Sequence, residues 1–341
     1  MKSHAIIPIF IPHEGCPNSC VFCNQNRITA NEKPTPPGEI AGIIDSYLIT
    51  LRNRSLKTVE AAFYGGSFTG LPLERQSEYL EIAHYYRRRG DIGKIRLSTR
   101  PDYISGEILS NLERYGVDTI ELGVQSFDDE VLLKSNRGHD SRVIYESSRM
   151  IQSYGFELGL QLMIGLPCDT AEKDIFSANE LVKIKPSIAR LYPTVVIDGT
   201  ELHRMHLDGE YVPLTLGESI DITKKMYRII SDANIKIIRV GLKSKDLLDN
   251  PRSNFHPAFR QLVESAIARG DVERRIESMP FLPYNASIRL LSNRKSFSNL
   301  IGHCKSNKEY FGAKYPSVKF SYAVDDTLAD GSYDVNLFRK K

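Results

Sequence analysis

Three cysteines within eight residues, Cys16, Cys20 and Cys23, are the sharpest chemical feature of this chain. They stand in the run Gly15-Cys16-Pro17-Asn18-Ser19-Cys20-Val21-Phe22-Cys23, a C-x3-C-x2-C spacing. Thiolates this close on one loop can converge on a single soft metal centre. A tetrahedral zinc or an ordinary iron–sulfur cubane takes four protein ligands. This loop offers three, and the remaining cysteines, Cys168 and Cys304, are isolated in sequence. Three thiolates on a four-iron cluster leave one iron without a protein ligand, and an open coordination position can bind and activate a substrate or cofactor. The alternative is a structural zinc loop completed by His13 or a distant group.

The elements that must position this loop follow from hydrophobic periodicity. Strand-like runs fall at Ile6–Phe10, Glu60–Tyr64, Lys94–Ser98, Thr119–Val124, Glu157–Ile164, Ala189–Tyr192 and Lys236–Val240. Amphipathic helical stripes lie between them: Ile40, Ile43, Ile44, Tyr47, Leu48 and Leu51 after Pro36-Pro37, then Leu109, Leu112 and Tyr115, then Val143, Ile144, Ser147 and Ile151. Such alternation predicts parallel strands joined by crossover helices. The fold expected is α/β, a partial (β/α)6 TIM-like barrel of six or seven units, spanning residues 1–250. A smaller α+β domain is expected over 251–341, with a helix near Ala258–Ala268, a strand at Ser287–Leu291, a helix from Phe297 to Tyr315 and a strand at Ser317–Val324.

In a parallel α/β barrel, function gathers at the C-terminal ends of the strands. The cysteine loop follows the first run and Gly65-Gly66-Ser67 the second. Ser98-Thr99-Arg100-Pro101, Gly123-Val124-Gln125-Ser126, Gln161 to Gly165-Leu166-Pro167, and Tyr192-Pro193 end the next four. Cys168 stands just beyond the fifth, where it could face substrate as a hydrogen donor or radical carrier, or simply pack. His139 suits a helix entry before Asp140, and His256-Pro257 a turn into a helix. His203 and His206 lie three apart without an acidic partner at metal-site spacing.

The cysteine spacing, with Phe22 just before the last cysteine, resembles the radical S-adenosylmethionine (SAM) superfamily. Phe63-Tyr64-Gly65-Gly66-Ser67-Phe68, Glu121 to Ser126, Asn136-Arg137-Gly138-His139, Met163 to Pro167, Tyr192-Pro193 and Asp198 to Leu202 narrow the likeness. They resemble the radical-SAM domain of the Elongator catalytic subunit and, more distantly, oxygen-independent coproporphyrinogen oxidases, over about residues 5–245. The resemblance implies a radical-SAM barrel whose 4Fe-4S cluster is held by Cys16, Cys20 and Cys23 and chelates SAM. It also implies reductive cleavage of SAM to methionine and a 5′-deoxyadenosyl radical that abstracts hydrogen, with a tRNA or other RNA base as the first substrate expected and a small metabolite or porphyrin-like acid the second. Carried onto matching positions, Phe22 lies beside the adenine and Gly65, Gly66 and Ser67 hold the methionine amino end. Gln125 reaches the ribose, and Arg137 the carboxylate or ribose. Ser98 and Gln161 stand where coproporphyrinogen oxidases commonly carry acids; both are neutral here. An electron donor such as a flavodoxin or ferredoxin is implied. The stretch beyond the barrel is too short for the Elongator acetyltransferase domain, so acetyl transfer is not expected.

Composition bounds these readings. With 341 residues, 41% hydrophobic and 26% charged, the chain can fill one large α/β core plus a small appendage. No run approaches ~18 apolar residues, so no membrane span is expected. Ala5–Pro12 reads as a strand and not as a secretory signal. An odd five cysteines argues against a disulfide scaffold and for a reducing, cytoplasmic setting. The net charge of +3 does not imply a polyanion partner, yet the block from Tyr284 onward carries ten basic against five acidic side chains. Within it, Leu300-Ile301-Gly302-His303-Cys304-Lys305 resembles the turn of a KH RNA-binding module, with Lys305 where a glycine belongs. RNA contact through this block, or a basic cover over the barrel, are its two readings. The rival to the enzyme is a non-catalytic metal-binding (zinc or Fe-S) RNA-interaction protein.

Overall fold

A computed structural model describes residues 4–11, 16, 20–24, 35–242, 255–279 and 285–338. The chain divides into two compact units, one of Met1–Thr215 with Met226–Phe255 and one of Leu216–Lys225 with His256–Lys341. The expected boundary at residues 250/251, His13 and the Met279-Pro280 link to Pro283 fall wholly or partly outside the described residues.

The first unit is an open, curled sheet of seven parallel strands in sequential order: β1 (His4–Ile11), β2 (Thr58–Gly65), β3 (Lys94–Thr99), β4 (Thr119–Gln125), β5 (Glu157–Ile164), β6 (Ile188–Pro193) and β7 (Lys236–Val240). The crossovers carry α1 (Pro37–Leu51), α2 (Leu73–Arg88), α3 (Gly106–Arg114), the pair α4 (Asp129–Lys134) and α5 (Ser141–Ser153), α6 (Ala171–Ile184), and the pair α7 (Glu201–Leu207) and α8 (Leu216–Asp232), of which Leu216–Lys225 counts with the second unit. Six βα units thus lead onto a seventh strand, the partial barrel expected. Local chemistry sets the helix starts. Pro37 opens α1, while Ser105, Asp128, Asp140, Thr170 and Thr200 each accept a hydrogen bond from a first-turn amide.

Alternation along the strands separates two faces. Ile7, Ile9, Ala61, Phe63, Ile95, Leu97, Ile120, Leu122, Leu158, Leu160 and Leu191 are all buried on one. The other, concave face carries charge: Glu60, Arg96, Glu121 and Arg190 form one chain of ion pairs across β2, β3, β4 and β6. Arg96 Nε donates to Glu60 Oε1 at 2.9 Å and its Nη1 to Glu121 Oε1 at 2.5 Å. Arg190 Nε meets Glu121 Oε2 at 2.7 Å, and its Nη2 reaches the Tyr64 hydroxyl at 3.2 Å. Arg190 on β6 can reach Glu121 on β4 because the intervening β5 position is Gly159. A Cβ there would lie 2.8 Å from Glu121 Cγ and 2.9 Å from Ile188 Cγ1, so a side chain would push into the ion pair.

The second unit contains α9 (Phe259–Glu277), β8 (Ser287–Ser292), α10 (Phe297–Ile301), α11 (Ser306–Lys314), β9 (Lys319–Val324) and β10 (Tyr333–Phe338). Its sheet order is β10-β8-β9, with β8 parallel to β9 and antiparallel to β10. Val272, Ile276, Ile288, Leu290, Leu300 and Phe311 form its core. Three expectations change here. The helix near Ala258–Ala268 continues to Glu277, its later turns still burying Val272 and Ile276. A third strand, β10, joins the sheet. The helix expected from Phe297 to Tyr315 is broken at Gly302, where φ is +83° and a Cβ would sit 2.5 Å from the Asn307 amide nitrogen. Cys304 and Lys305 continue the turn at φ +50° and +67°.

Candidate functional site

The C-terminal ends of β1–β5 bring most of the expected residues to one rim. β1 delivers the cysteine loop, of which Cys16, Cys20, Val21, Phe22 and Cys23 are described; all three cysteines are half-buried and free of disulfides. The loop is tied to other strand ends. Cys16 Sγ lies 3.3 Å from the Ser67 hydroxyl after β2. Cys20 Sγ receives Arg137 Nη1 at 3.0 Å and Arg100 Nη1 at 3.6 Å. The Val21 amide bonds the Ser135 carbonyl, and the Leu202 amide bonds that of Val21. Phe22 leans on the apolar cluster of Val21, Val196, Leu202 and Tyr211.

Gly65 takes φ +107° at the end of β2, and the Gly66 amide is spent on the Ile11 carbonyl of β1. Ser67 is buried. Ser98, on the concave side of β3, is half-buried. Gln125 adopts a left-handed φ of +73° where the β4–β5 register slips between Gly123 and Gln125. Bulges of this kind re-aim a side chain at a strand end, and a non-glycine residue held at positive φ costs of order 1–3 kcal/mol. The Gln125 side chain accepts from Gln161 Nε2 at 3.1 Å, so these two neutral amides are one unit. Phe10, Tyr64, Gln161 and Met163 are half-buried on the same concave face, above the ion-pair chain.

Arg137 and Arg100 are the electrostatic centre of the rim. Both are buried, yet their surroundings differ. Arg100 grips Asp102 with two hydrogen bonds of 2.9 and 2.8 Å and donates to the Arg137 carbonyl. Arg137 meets Cys20 Sγ and the Gly123 carbonyl, while its Nε has no partner among the described residues. His139, 3.5 Å from Arg137, is pushed below its ordinary pKa by burial and by that guanidinium, so it is held neutral.

Cys168 is exposed beyond β5 at φ +61°, and its carbonyl accepts from Lys173. Sequence reasoning missed the pair beside it. Burial raises Asp169 to about 6 and holds the more deeply buried Asp174 well above the ordinary aspartate range, with the like charge of Asp169 adding to it there. Asp169 caps the Leu166 and Thr170 amides, and the Tyr211 hydroxyl donates to the Gly165 carbonyl at 2.6 Å. Two aspartates five apart give no signal of this in sequence. His206 bonds the Tyr211 carbonyl, and His203 lies 3.7 Å from Asp198. His256 accepts from the Ala258 amide at the turn into α9, as expected.

The donor set on the cysteine loop fits an iron–sulfur cluster in kind. Three thiols stand at the rim, and two guanidinium groups face the sulfur of one of them. Among the described residues, no three His, Cys, Asp or Glu side chains are gathered closely enough to hold a metal ion. No described helix is long and apolar enough to cross a membrane.

Comparison with known proteins agrees with this architecture. The model of the radical SAM superfamily matches residues 10–176, and that of the radical SAM C-terminal domain matches 186–269. Elongator complex protein 3 of Bos taurus is 26% identical over 326 residues, covering 80% of this chain and 58% of that protein. Its counterpart in Schizosaccharomyces pombe is 30% identical over 297 residues, covering 71% and 54%. The tRNA uridine(34) acetyltransferase of Methanocaldococcus jannaschii is 26% identical over 292 residues, covering 71% and 54%. The chain thus spans just over half the length of these relatives. The solved Methanocaldococcus infernus Elp3 shares the fold, with a TM-score of 0.57 at 20% identity over 72% of this chain and 61% of that one.

Proposed function

We propose, from the premise that this chain belongs to the radical SAM superfamily, that it is an enzyme cleaving SAM at a three-cysteine 4Fe-4S cluster to abstract hydrogen from an RNA base. The observation that carries this reading is the convergence of Cys16, Cys20, Ser67, Gln125, Gln161 and Arg137 on one rim. When bound, the cluster supplies one electron, from a donor such as a flavodoxin or ferredoxin, that breaks the SAM sulfonium bond to give methionine and a 5′-deoxyadenosyl radical.

Cys16, Cys20 and Cys23 would hold that cluster. Arg137 would take the SAM carboxylate through the face of its guanidinium carrying the unpartnered Nε. The paired amides of Gln125 and Gln161 would orient the ribose, with Gln125 locked by its bulge so that little entropy is lost on binding. Ser67, Gly65 and Gly66 would meet the amino end, Phe22 the adenine, and Ser98 a neutral hydroxyl beneath them. Cys168, exposed after β5, would serve as a hydrogen donor only to a substrate covering it.

The concave face supports the substrate class. Above the self-compensating ion pairs it offers Phe10, Tyr64, Ser98, Gln161 and Met163, neutral and partly aromatic, which suits a flat uncharged ring better than a polycarboxylate. A relative named for tRNA uridine(34) favours a uridine. The exposed Lys305 and Lys308 beside the Gly302 turn offer phosphate contacts for RNA. Free cysteines suit the reducing, cytoplasmic setting read from the sequence.

The test is anaerobic reconstitution with iron and sulfide, followed by SAM and dithionite. About four irons per chain and release of 5′-deoxyadenosine are expected, with a mass change in the modified nucleoside when RNA from a deletion strain is the substrate. Bound zinc without nucleoside product would replace this reading with the metal-binding RNA-interaction protein.

A further inference from the structure

A buried guanidinium ordinarily finds a carboxylate, since an unpaired charge in the interior costs several kcal/mol. The two rim arginines divide on this point. Arg100, 4% exposed, is neutralised by Asp102. Arg137, 3% exposed, has no carboxylate partner among the described residues; its Nη1 is aimed at Cys20 Sγ at 3.0 Å and its Nη2 at the Gly123 carbonyl. The arrangement is braced, because Arg100 donates to the Arg137 backbone carbonyl while its Nη1 faces the same sulfur at 3.6 Å. A neutral thiol is a poor acceptor for such a donor, whereas a metal-bound thiolate is a strong one.

We propose that Arg137, braced by the Arg100–Asp102 pair, is a positioning residue that donates to the Cys20 sulfur and thereby raises the reduction potential of the cluster, apart from any contact with SAM. This rests on the three-cysteine cluster reading above. Hydrogen bonds and positive charge at a ligand sulfur stabilise the reduced, more negative cluster, and they are among the protein's levers on iron–sulfur potentials. SAM cleavage needs a strongly reducing cluster, so this donor trades driving force for ease of reduction by a physiological donor.

The experiment compares the full-length parent with Arg137→Met, Arg137→Lys and Arg100→Lys, each reconstituted anaerobically, counted for iron and sulfide, and titrated without SAM by low-temperature EPR. Arg137→Met is expected to lower the ratio of reduced to oxidised cluster about tenfold at a fixed poise, equal to 59 mV for a one-electron couple. Arg137→Lys keeps the charge without the fork and should shift less, and Arg100→Lys, which loosens the brace, less again. Should Arg137→Met fail to fold, the two lysine variants carry the same graded comparison. A potential unchanged in all folded variants, with SAM binding weakened in the Arg137 ones, would mean that Arg137 serves SAM alone and overturns the inference while leaving the cluster reading intact. A parent that takes up no iron removes both.

Discussion

The concave face of the half-barrel holds two polar layers that differ in how they are satisfied. In the lower layer Glu60, Arg96, Glu121 and Arg190 are two acids and two bases that cancel within a few ångströms. In the rim layer Arg137 has a spare nitrogen, the two glutamines bond chiefly each other, and three thiols carry no disulfide. A charge that closes on itself holds strands together. A charge aimed at something the chain does not supply prepares a site, because a buried polar group left without a partner is otherwise a net cost.

That contrast can be broken by four measurements. Replacing Cys16, Cys20 and Cys23 together with alanine should drop bound iron and 5′-deoxyadenosine formation to background. The unfolding free energy of the cluster-free protein should move by no more than about 0.5 kcal/mol, since these residues belong to the rim and not to the support. Glu121→Ala should do the opposite, costing about 3–5 kcal/mol in urea unfolding by stranding Arg190 and leaving Arg96 only Glu60. A cost below about 1 kcal/mol would show that the lower layer does not support the sheet.

Gln161→Leu removes the donor to Gln125 and should raise the KM for SAM about tenfold, equivalent to ~1.4 kcal/mol, with kcat little changed. An unchanged KM would take the amide pair out of the SAM site. A pH effect is expected at the Asp169–Asp174 pair, where burial raises both carboxyls and the like charge of Asp169 adds to it at Asp174. A carboxyl whose folded pKa lies above its unfolded value stabilises below the unfolded pKa, and that stability is lost as pH rises through the folded one. The parent should therefore lose stability at this pair as pH rises from 4 to 7. Asp174→Asn should flatten that slope in melts across the range, and an unaltered slope would show that the pair does not share a proton.

Much of this was legible in the chain itself. Every barrel strand appears as an apolar run within a residue or two of its bounds, because the face packed on helices must be continuous and hydrophobic. The lower ion-pair layer was not legible. Glu60, Arg96, Glu121 and Arg190 alternate with apolar residues and look like the solvated side of a strand, and only curling of the sheet turns that side inward. A signal was present, since charges of opposite sign recur at one strand face in successive units with a glycine, Gly159, among them. The break at Gly302 was hidden for a related reason: apolar residues on both sides keep helical spacing, and the steric conflict with Asn307 exists only in three dimensions.

By itself the sequence determined the barrel strands and their parallel direction, the three-cysteine loop and the residue types at the strand ends, since these depend on local spacing and residue type. Only the tertiary structure decided which charges cancel and which remain directed outward: Arg100 to Asp102, Arg190 to Glu121, Arg137 to the Cys20 sulfur. Partner choice among buried ions is a matter of distance and desolvation between residues far apart in the chain, and spacing along the chain carries neither.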